Sequence, residues 1–179
     1  MYLRKPLLAI AGAASLSILP ATASAHGSAH AESGGKRKNE ATTVYEEKAF
    51  GRPGERARAT RTVRIVGTDD MRYTPARIRV KQGETVRFVV RNGGKILHET
   101  VLGTKPELQE HYELMKKFPD MEHDEPHMVH LKPGETGEMV WQFTKAGEFY
   151  FACLVAGHFE AGMFGTIHVT PSTAKGSKS

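Results

Sequence analysis

The feature that most constrains the fold is a series of short segments in which apolar and polar residues alternate. Residues 62–66, 76–80 and 85–91 show this alternation, and the turn signals Asn92-Gly93-Gly94 and Pro133-Gly134 lie between such segments. Alternation with a period of two is typical of strands that are buried on one face. Short strands separated by regular turns are typical of a β-sandwich or barrel. The sequence therefore predicts an all-β domain of about seven or eight strands, folded as a β-sandwich.

One segment departs from this pattern. Leu108, Tyr112 and Met115 recur at helical spacing. Pro106 suits a first helical turn, and the two lysines that follow Met115 suit a last one. We therefore expect one short helical insertion over residues 106–118.

The N-terminus has the composition of an export signal. Arg4 and Lys5 precede an apolar stretch over residues 7–19, and Ala23-Ser24-Ala25 follows it. This order of charged, apolar and small residues predicts a signal peptide over residues 1–25 and a periplasmic protein. A retained membrane anchor is the alternative, but the apolar stretch is short for a bilayer span. We expect no membrane span after cleavage.

Two further boundaries follow from composition. Residues 26–60 contain few large apolar side chains and many small or charged ones, which predicts a mostly disordered N-terminal arm that carries His26 and His30, with a little local order around residues 44–50. The β-rich domain is predicted over residues 61–171, and residues 172–179 form a polar tail. Lys and Arg number 25 against 20 Asp and Glu, and the two signs are mixed. This balance gives no indication of nucleic-acid binding.

The chain has a single cysteine, Cys153. It cannot form a disulfide within the chain, so an exported protein needs another use for it. His158 and Met163 follow at intervals of four intervening residues, each directly preceded by a glycine that permits a tight turn. A thiolate, an imidazole and a thioether form a ligand set that copper prefers. A buried structural thiol and a catalytic thiol are the alternatives.

A second imidazole would complete the trigonal copper site with a weak axial thioether that is used in electron transfer. His98 is the better candidate, because it lies on a predicted strand that follows a Gly-Gly turn and has apolar neighbours. His130, just before the Pro133-Gly134 turn, is the alternative. The sequence thus predicts one copper ion bound by His98, Cys153, His158 and Met163.

These motifs resemble the cupredoxins, the family that includes plastocyanins, azurins and pseudoazurins. The resemblance covers residues 62–171, from the strand with His98 through residues 149–153 to residues 165–167. It implies a Greek-key β-sandwich with copper at one end. Residues 141–163, the acidic loop around Met121 and the signal peptide are most similar to bacterial periplasmic cupredoxins of copper tolerance.

The sequence departs from the family pattern in places. The residue after the upstream histidine is often an Asn that ties the two ligand loops together, and here it is Glu99. The tie must therefore come from elsewhere. Ala152 and Leu154 flank Cys153 where multicopper oxidases have two histidines for a trinuclear cluster. A copper oxidase is therefore not expected, and one cysteine excludes a binuclear copper centre.

Further histidines and methionines cluster after the predicted helix. Such mixed sets bind Cu(I) well. The alternative is that these histidines are polar residues of a hydrated loop and bind no metal. A second, weaker copper site is thus a hypothesis for Met121, His123, His127, Met128 and His130.

Two functions compete on this evidence. The first is copper handling: the protein binds copper and protects the cell, either by sequestering the metal or by passing it to a chaperone. The alternative is one-electron transfer to a periplasmic redox partner, which would dock on an apolar patch around His158 that includes Phe159 and Phe164.

Overall fold

The computed structural model describes residues 46–119 and 124–172. Within them lie ten strands, one α-helix and a short 3-10 helix at Arg56–Arg58. The elements in chain order are β1 (Arg52–Pro53), β2 (Arg61–Thr68), β3 (Arg72–Thr74), β4 (Arg77–Lys81), β5 (Thr85–Asn92), β6 (His98–Gly103), α1 (Lys105–Lys117), β7 (Met128–Leu131), β8 (Thr136–Gln142), β9 (Gly147–Ala152) and β10 (Phe164–Thr170).

The strands form two five-stranded sheets. One sheet has the order β1-β8-β5-β2-β3 and the other the order β4-β10-β9-β6-β7. The pairs β2–β5 and β4–β10 are parallel, whereas the other pairs are antiparallel. Because non-consecutive strands are neighbours, the chain crosses between the sheets as a sandwich requires. The predicted fold class is confirmed.

The core lies between the two sheets and contains the inward-facing residue of each alternating pair. In β5, for example, Val86, Phe88 and Val90 are buried against Trp141 of β8 and the other sheet. This packing explains why alternation in the sequence was a reliable guide to the strands.

The predicted helical insertion is present as α1, after β6. Thr104 caps its N-terminus, since its hydroxyl accepts the N–H of Glu107 while the Glu107 carboxylate accepts the N–H of Thr104. Leu108, Tyr112 and Met115 form its buried face. They pack on the outer side of β6 and β9, which places the helix beside the loop that follows β9.

Residues 46–60 lie in the stretch that composition assigned to the arm, yet they contact the sandwich. Phe50 is buried and stacks on Trp141 with ring centroids 4.9 Å apart. The Trp141 indole N–H donates to the Phe50 carbonyl at 3.2 Å, and β1 pairs with β8. One aromatic anchor in a polar segment has no periodicity, which is why the sequence indicated a little local order around residues 44–50 but not this contact with the sandwich.

Several predicted features lie outside the described residues, namely the signal peptide, the arm up to residue 45, Met121, His123 and all of the polar tail except Ser172. In the described part of the chain, no helix combines the length and apolar character that crossing a membrane would require.

Candidate metal centre

Cys153 directly follows β9 and is completely buried. Its N–H donates to the carbonyl of Met163 at 3.0 Å, so the loop is closed by a main-chain bond between its first and last residues. β10 begins at the next residue, Phe164. The β9–β10 pair therefore holds both ends of the loop.

The loop turns back on itself to bring His158 over Cys153. The main-chain N–H of His158 donates to the Val155 carbonyl and its carbonyl accepts the N–H of Met163, each at 3.0 Å. Gly157 has φ +87, in the region that favours glycine, so the turn depends on it. As a result the His158 Nδ1 lies 3.3 Å from the Cys153 Sγ.

His98 reaches the same place from the neighbouring strand. It begins β6, is buried, and has its Nδ1 4.0 Å from the Cys153 Sγ. One ligand atom from each of His98, Cys153 and His158 lies within 4.8 Å of the others. The structure thus brings together three of the four predicted ligands, with both Nδ1 atoms directed at the thiol.

Met163, the fourth predicted ligand, is fully buried in the same apolar cluster as Cys153. Its main chain bonds to both Cys153 and His158. The terminal methyl group of Met163 lies against Gly67 of β2, where an added Cβ would be 3.0 Å away. A thioether that is held at this end of the sandwich suits a weak axial ligand.

Burial sets the protonation of the thiol and of one imidazole. Burial raises the pKa of the Cys153 thiol to about 11, although the N–H groups of Glu99 and Val155 oppose the shift. Burial also lowers the pKa of His158, and the nearby His98 adds to this effect. His158 is therefore neutral at pH 7, which leaves a nitrogen lone pair for a metal.

Glu99 takes a position that sequence reasoning did not anticipate. Its N–H donates to the Cys153 Sγ at 3.3 Å, which ties the strand of His98 to the ligand loop. Its carboxylate is fully buried, with Oε1 3.0 Å from the Nε2 of His130 across the β6–β7 pair. His130, the alternative second imidazole, therefore pairs with Glu99.

The remaining predicted histidine and methionine residues divide between two places. Met128 and His130 lie on one face of β7, beside an open surface depression. His127 instead packs against Phe50 and Trp141, with ring centroids 5.8 Å from each. The structure thus separates His127 from the other two.

Sequence reasoning missed Asp69, which lies in the turn between β2 and β3. Its Oδ1 is 3.0 Å from the Nε2 of His98, on the side of the ring opposite Cys153. The only signal in the sequence was the Gly93-Gly94 pair, whose second glycine leaves room for this contact.

Comparison with known proteins agrees with this geometry. The family profile described as copper binding proteins of the plastocyanin/azurin family matches residues 59–170. The chain belongs to the plastocyanin/azurin family. The resemblance to cupredoxins is thereby confirmed, and the matched range contains all four predicted ligands of this cupredoxin.

Curated relatives narrow the comparison within the cupredoxins. The chain is 55% identical over 144 residues to the copper-resistant cuproprotein CopI of Rubrivivax gelatinosus, covering 80% of this chain and 82% of that protein. It is 37% identical over 152 residues to the copper-resistant cuproprotein CopI of Pseudomonas aeruginosa, covering 69% of this chain and 83% of that protein.

Solved structures show the same cupredoxin fold. Auracyanin B aligns with a TM-score of 0.56 at 19% identity, covering 70% of this chain and 97% of that one. Reduced auracyanin from Roseiflexus castenholzii aligns with a TM-score of 0.55 at 18% identity, covering 63% of this chain and 99% of that one.

Proposed function

We propose that this cupredoxin binds one copper ion through His98, Cys153, His158 and Met163, and that it handles copper in resistance to the metal. The observation that carries the proposal is a single buried thiol faced by two imidazole Nδ1 atoms, at 3.3 and 4.0 Å. Two imidazoles and one thiolate in a plane with a weak thioether form a type 1 copper site. Bound copper would supply one-electron redox chemistry.

The role in resistance is supported by the relatives. Both are described as copper-resistant cuproproteins, and the alignment spans at least 82% of each of them. The predicted signal peptide supports a periplasmic location, where a protein can intercept copper before it enters the cell.

Electron transfer is the second candidate, and one surface feature favours it. Phe164 is 45% exposed and its ring centroid lies 6.0 Å from that of Phe159, next to His158. These rings border a groove of about 340 Å³ that Tyr112 and Tyr150 also line. An apolar surface beside a ligand histidine would suit a redox protein that docks briefly.

Absorption and EPR spectra of the copper-loaded protein, with copper counted on the same sample, test the main site. We expect an intense thiolate-to-copper band that is lost in Cys153→Ser. His158→Ala should weaken or shift the band, whereas His168→Ala is the matched control because His168 is an exposed residue of β10. A band that survives in Cys153→Ser would contradict the proposed ligand set.

Copper tolerance of a deletion strain separates the two functions. Resistance predicts that growth in high copper falls and is restored by the wild-type chain but not by Cys153→Ser. A carrier predicts unchanged tolerance, together with fast electron exchange with a soluble redox partner that Phe164→Glu slows.

We also propose a second, weaker copper site on the outer face of the β6–β7 pair. Glu99 lies opposite His130 and Val101 lies opposite Met128, so a carboxylate, an imidazole and a thioether lie on one face of two adjacent strands. Among the described residues, Oε2 of the buried Glu99 has no hydrogen-bond donor. Met121 and His123, which lie outside the described residues, remain further candidates for this site, whereas His127 packs against Phe50 and Trp141 instead.

Copper stoichiometry tests the second site. If Met128 and His130 contribute, His130→Ala and Met128→Leu should bind about one copper fewer per chain than the wild type while the thiolate band is kept. His168→Ala again serves as the control. Equal stoichiometry in all four proteins would argue against the second site and leave the first unaffected.

A further inference from the structure

We propose that Asp69 is a positioning residue for the copper centre: it fixes the ring and tautomer of His98 and lowers the reduction potential of the bound copper. This inference rests on the proposed function, because it concerns one of the ligands of that site. It assigns a role to a carboxylate that lies 29 residues before the histidine it contacts.

The imidazole of His98 lies between a carboxylate and the thiol. Its Nε2 is 3.0 Å from the Asp69 Oδ1, and its Nδ1 is 4.0 Å from the Cys153 Sγ. A carboxylate only accepts, so the Nε2 carries the proton and donates it. The Nδ1 is then left without a proton and is directed at the metal position. Carboxylate–histidine–metal arrangements of this kind fix both the tautomer and the orientation of the ring.

Asp69 is itself held firmly by two turns. In the β2–β3 turn, the N–H of Met71 donates to the Thr68 carbonyl at 3.0 Å, and Met71 has φ 59. From the other side, the N–H of Lys95 donates to the Asp69 Oδ2 at 2.7 Å. The carboxylate thus connects the segment that leads into β6 with the side chain that begins β6.

The Gly-Gly turn before His98 is built to admit this carboxylate. A Cβ on Gly94 would lie 1.8 Å from the Asp69 Oδ1 and 3.0 Å from the His98 Nε2. Any larger residue would therefore displace one of the two groups. The Asn92 side chain fixes the turn, because its Oδ1 accepts the N–H of Gly94 at 2.8 Å.

The charge of Asp69 is also well placed to act on the metal. The carboxylate accepts the N–H of Lys95 at 2.7 Å and faces the His98 Nε2 at 3.0 Å, so two donors hold its negative charge beside the ring. A negative charge that reaches the ligand ring makes the imidazole a stronger donor. It stabilises Cu(II) more than Cu(I), because the attraction increases with the charge of the ion.

The test compares Asp69→Asn with Asp70→Asn in the full copper-loaded chain. The amide oxygen that Asp69→Asn introduces can still accept from Nε2, so this variant removes charge and retains much of the geometry. Asp70 is the matched control, because it has the same charge in the same turn but its side chain accepts from the Thr68 hydroxyl. We expect Asp69→Asn to lower the Cu(II) affinity relative to Cu(I) about tenfold, a rise in potential of about 59 mV.

Nitrogen NMR of the metal-free chain gives a readout that needs no copper. The wild type should show His98 as the Nε2–H tautomer. In Asp69→Ala both His98 tautomers should be populated, while the other signals of the spectrum should still be those of the folded protein. Gly94→Ala should produce the same mixing because it displaces the carboxylate.

Three results would overturn the inference. The first is a potential shift in Asp69→Asn no larger than in Asp70→Asn, and the second is an Nδ1–H tautomer in the wild type. The third is a wild-type chain without a thiolate band, which would remove the proposed copper centre itself. The first two can occur while that centre stands, so the two proposals fail separately.

Discussion

At Cys153 the protein environment and the proposed metal favour opposite protonation states. Burial raises the pKa of the thiol to about 11, so the metal-free protein carries a neutral thiol at pH 7. Copper requires the thiolate. The metal therefore has to displace a proton, and the N–H of Glu99, 3.3 Å from the sulfur, is already in place to stabilise the resulting charge.

Proton release on copper binding follows from this pKa. Between about pH 7 and 9 the wild type should release about one proton per copper, because Cys153 is protonated and His158, with its lowered pKa, is neutral. Release should decline as the pH rises towards and past 11, because a growing fraction of the thiol is then ionised before copper binds. Calorimetry in buffers of different ionisation enthalpy measures it, and Cys153→Ser should release about one proton fewer. Equal release in the two proteins would contradict the assigned pKa.

Whether a ligand could be found from the sequence depends on how local its surroundings are. Cys153, His158 and Met163 lie on one loop, so their spacing alone revealed them. The assignment of His98 as the second imidazole ligand rested on the family resemblance as well as on its position in a predicted strand. Asp69 contacts His98 across 29 residues, and Glu99 meets His130 only through the β6–β7 register. No local pattern encodes such contacts.

At the scale of elements, α1 is an extra support for the ligand loop. The hydroxyl of Tyr112, on the buried face of the helix, accepts the N–H of Gly157 at 3.0 Å. The centroids of the Tyr112 and Phe159 rings lie 5.3 Å apart, so the helix contacts the loop on both sides of His158 in the sequence. The helix was predictable from its periodicity and from the residues of its first and last turns, but its contact with the loop depends on how it packs.

Tyr112→Phe isolates this contact. It removes one hydrogen bond and keeps the ring, so the unfolding free energy of the metal-free protein should fall by about 1 kcal/mol. Copper should also dissociate faster, since Gly157 precedes a ligand, while the thiolate band stays. Stopped-flow chelator competition and denaturant titration measure these effects.

Tyr150→Phe is the matched control for this experiment. Its hydroxyl donates to Glu148 on the surface of β9 and not to the ligand loop. Copper dissociation should therefore match the wild type. Equal acceleration in both variants would mean that Tyr112 does not act through Gly157.

At the scale of the whole molecule, the sandwich extends beyond the predicted domain boundary. Phe50 fills a place between Trp141 and Phe149, with ring centroids at 4.9 and 6.2 Å. The sheets themselves could be predicted, because alternation reports burial directly. The N-terminal anchor could not, since a single apolar residue among polar ones also occurs in unstructured segments.

Phe50→Ala should lower the unfolding free energy by about 3–5 kcal/mol, because it opens a cavity beside Trp141. The copper spectrum of the folded protein should not change, as the described ring contacts of Phe50 are with His127, Trp141 and Phe149 and not with a ligand. Phe118→Ala is the control, because Phe118 is 56% exposed and its loss should alter stability by about 0.5 kcal/mol or less. Thermal and denaturant unfolding measure both. A similar loss in the two variants would show that Phe50 does not anchor the sandwich.

The main-chain bond between Cys153 and Met163 has a further consequence for how such a protein can evolve. It makes the eleven-residue loop from Cys153 to Met163 a replaceable cassette, whose covalent junctions with the rest lie where β9 ends and β10 begins. Insertions or exchanges inside the cassette would alter ligand spacing without altering strand pairing. Related proteins could thus differ in the colour and reduction potential of the copper centre while they keep the same β-sandwich.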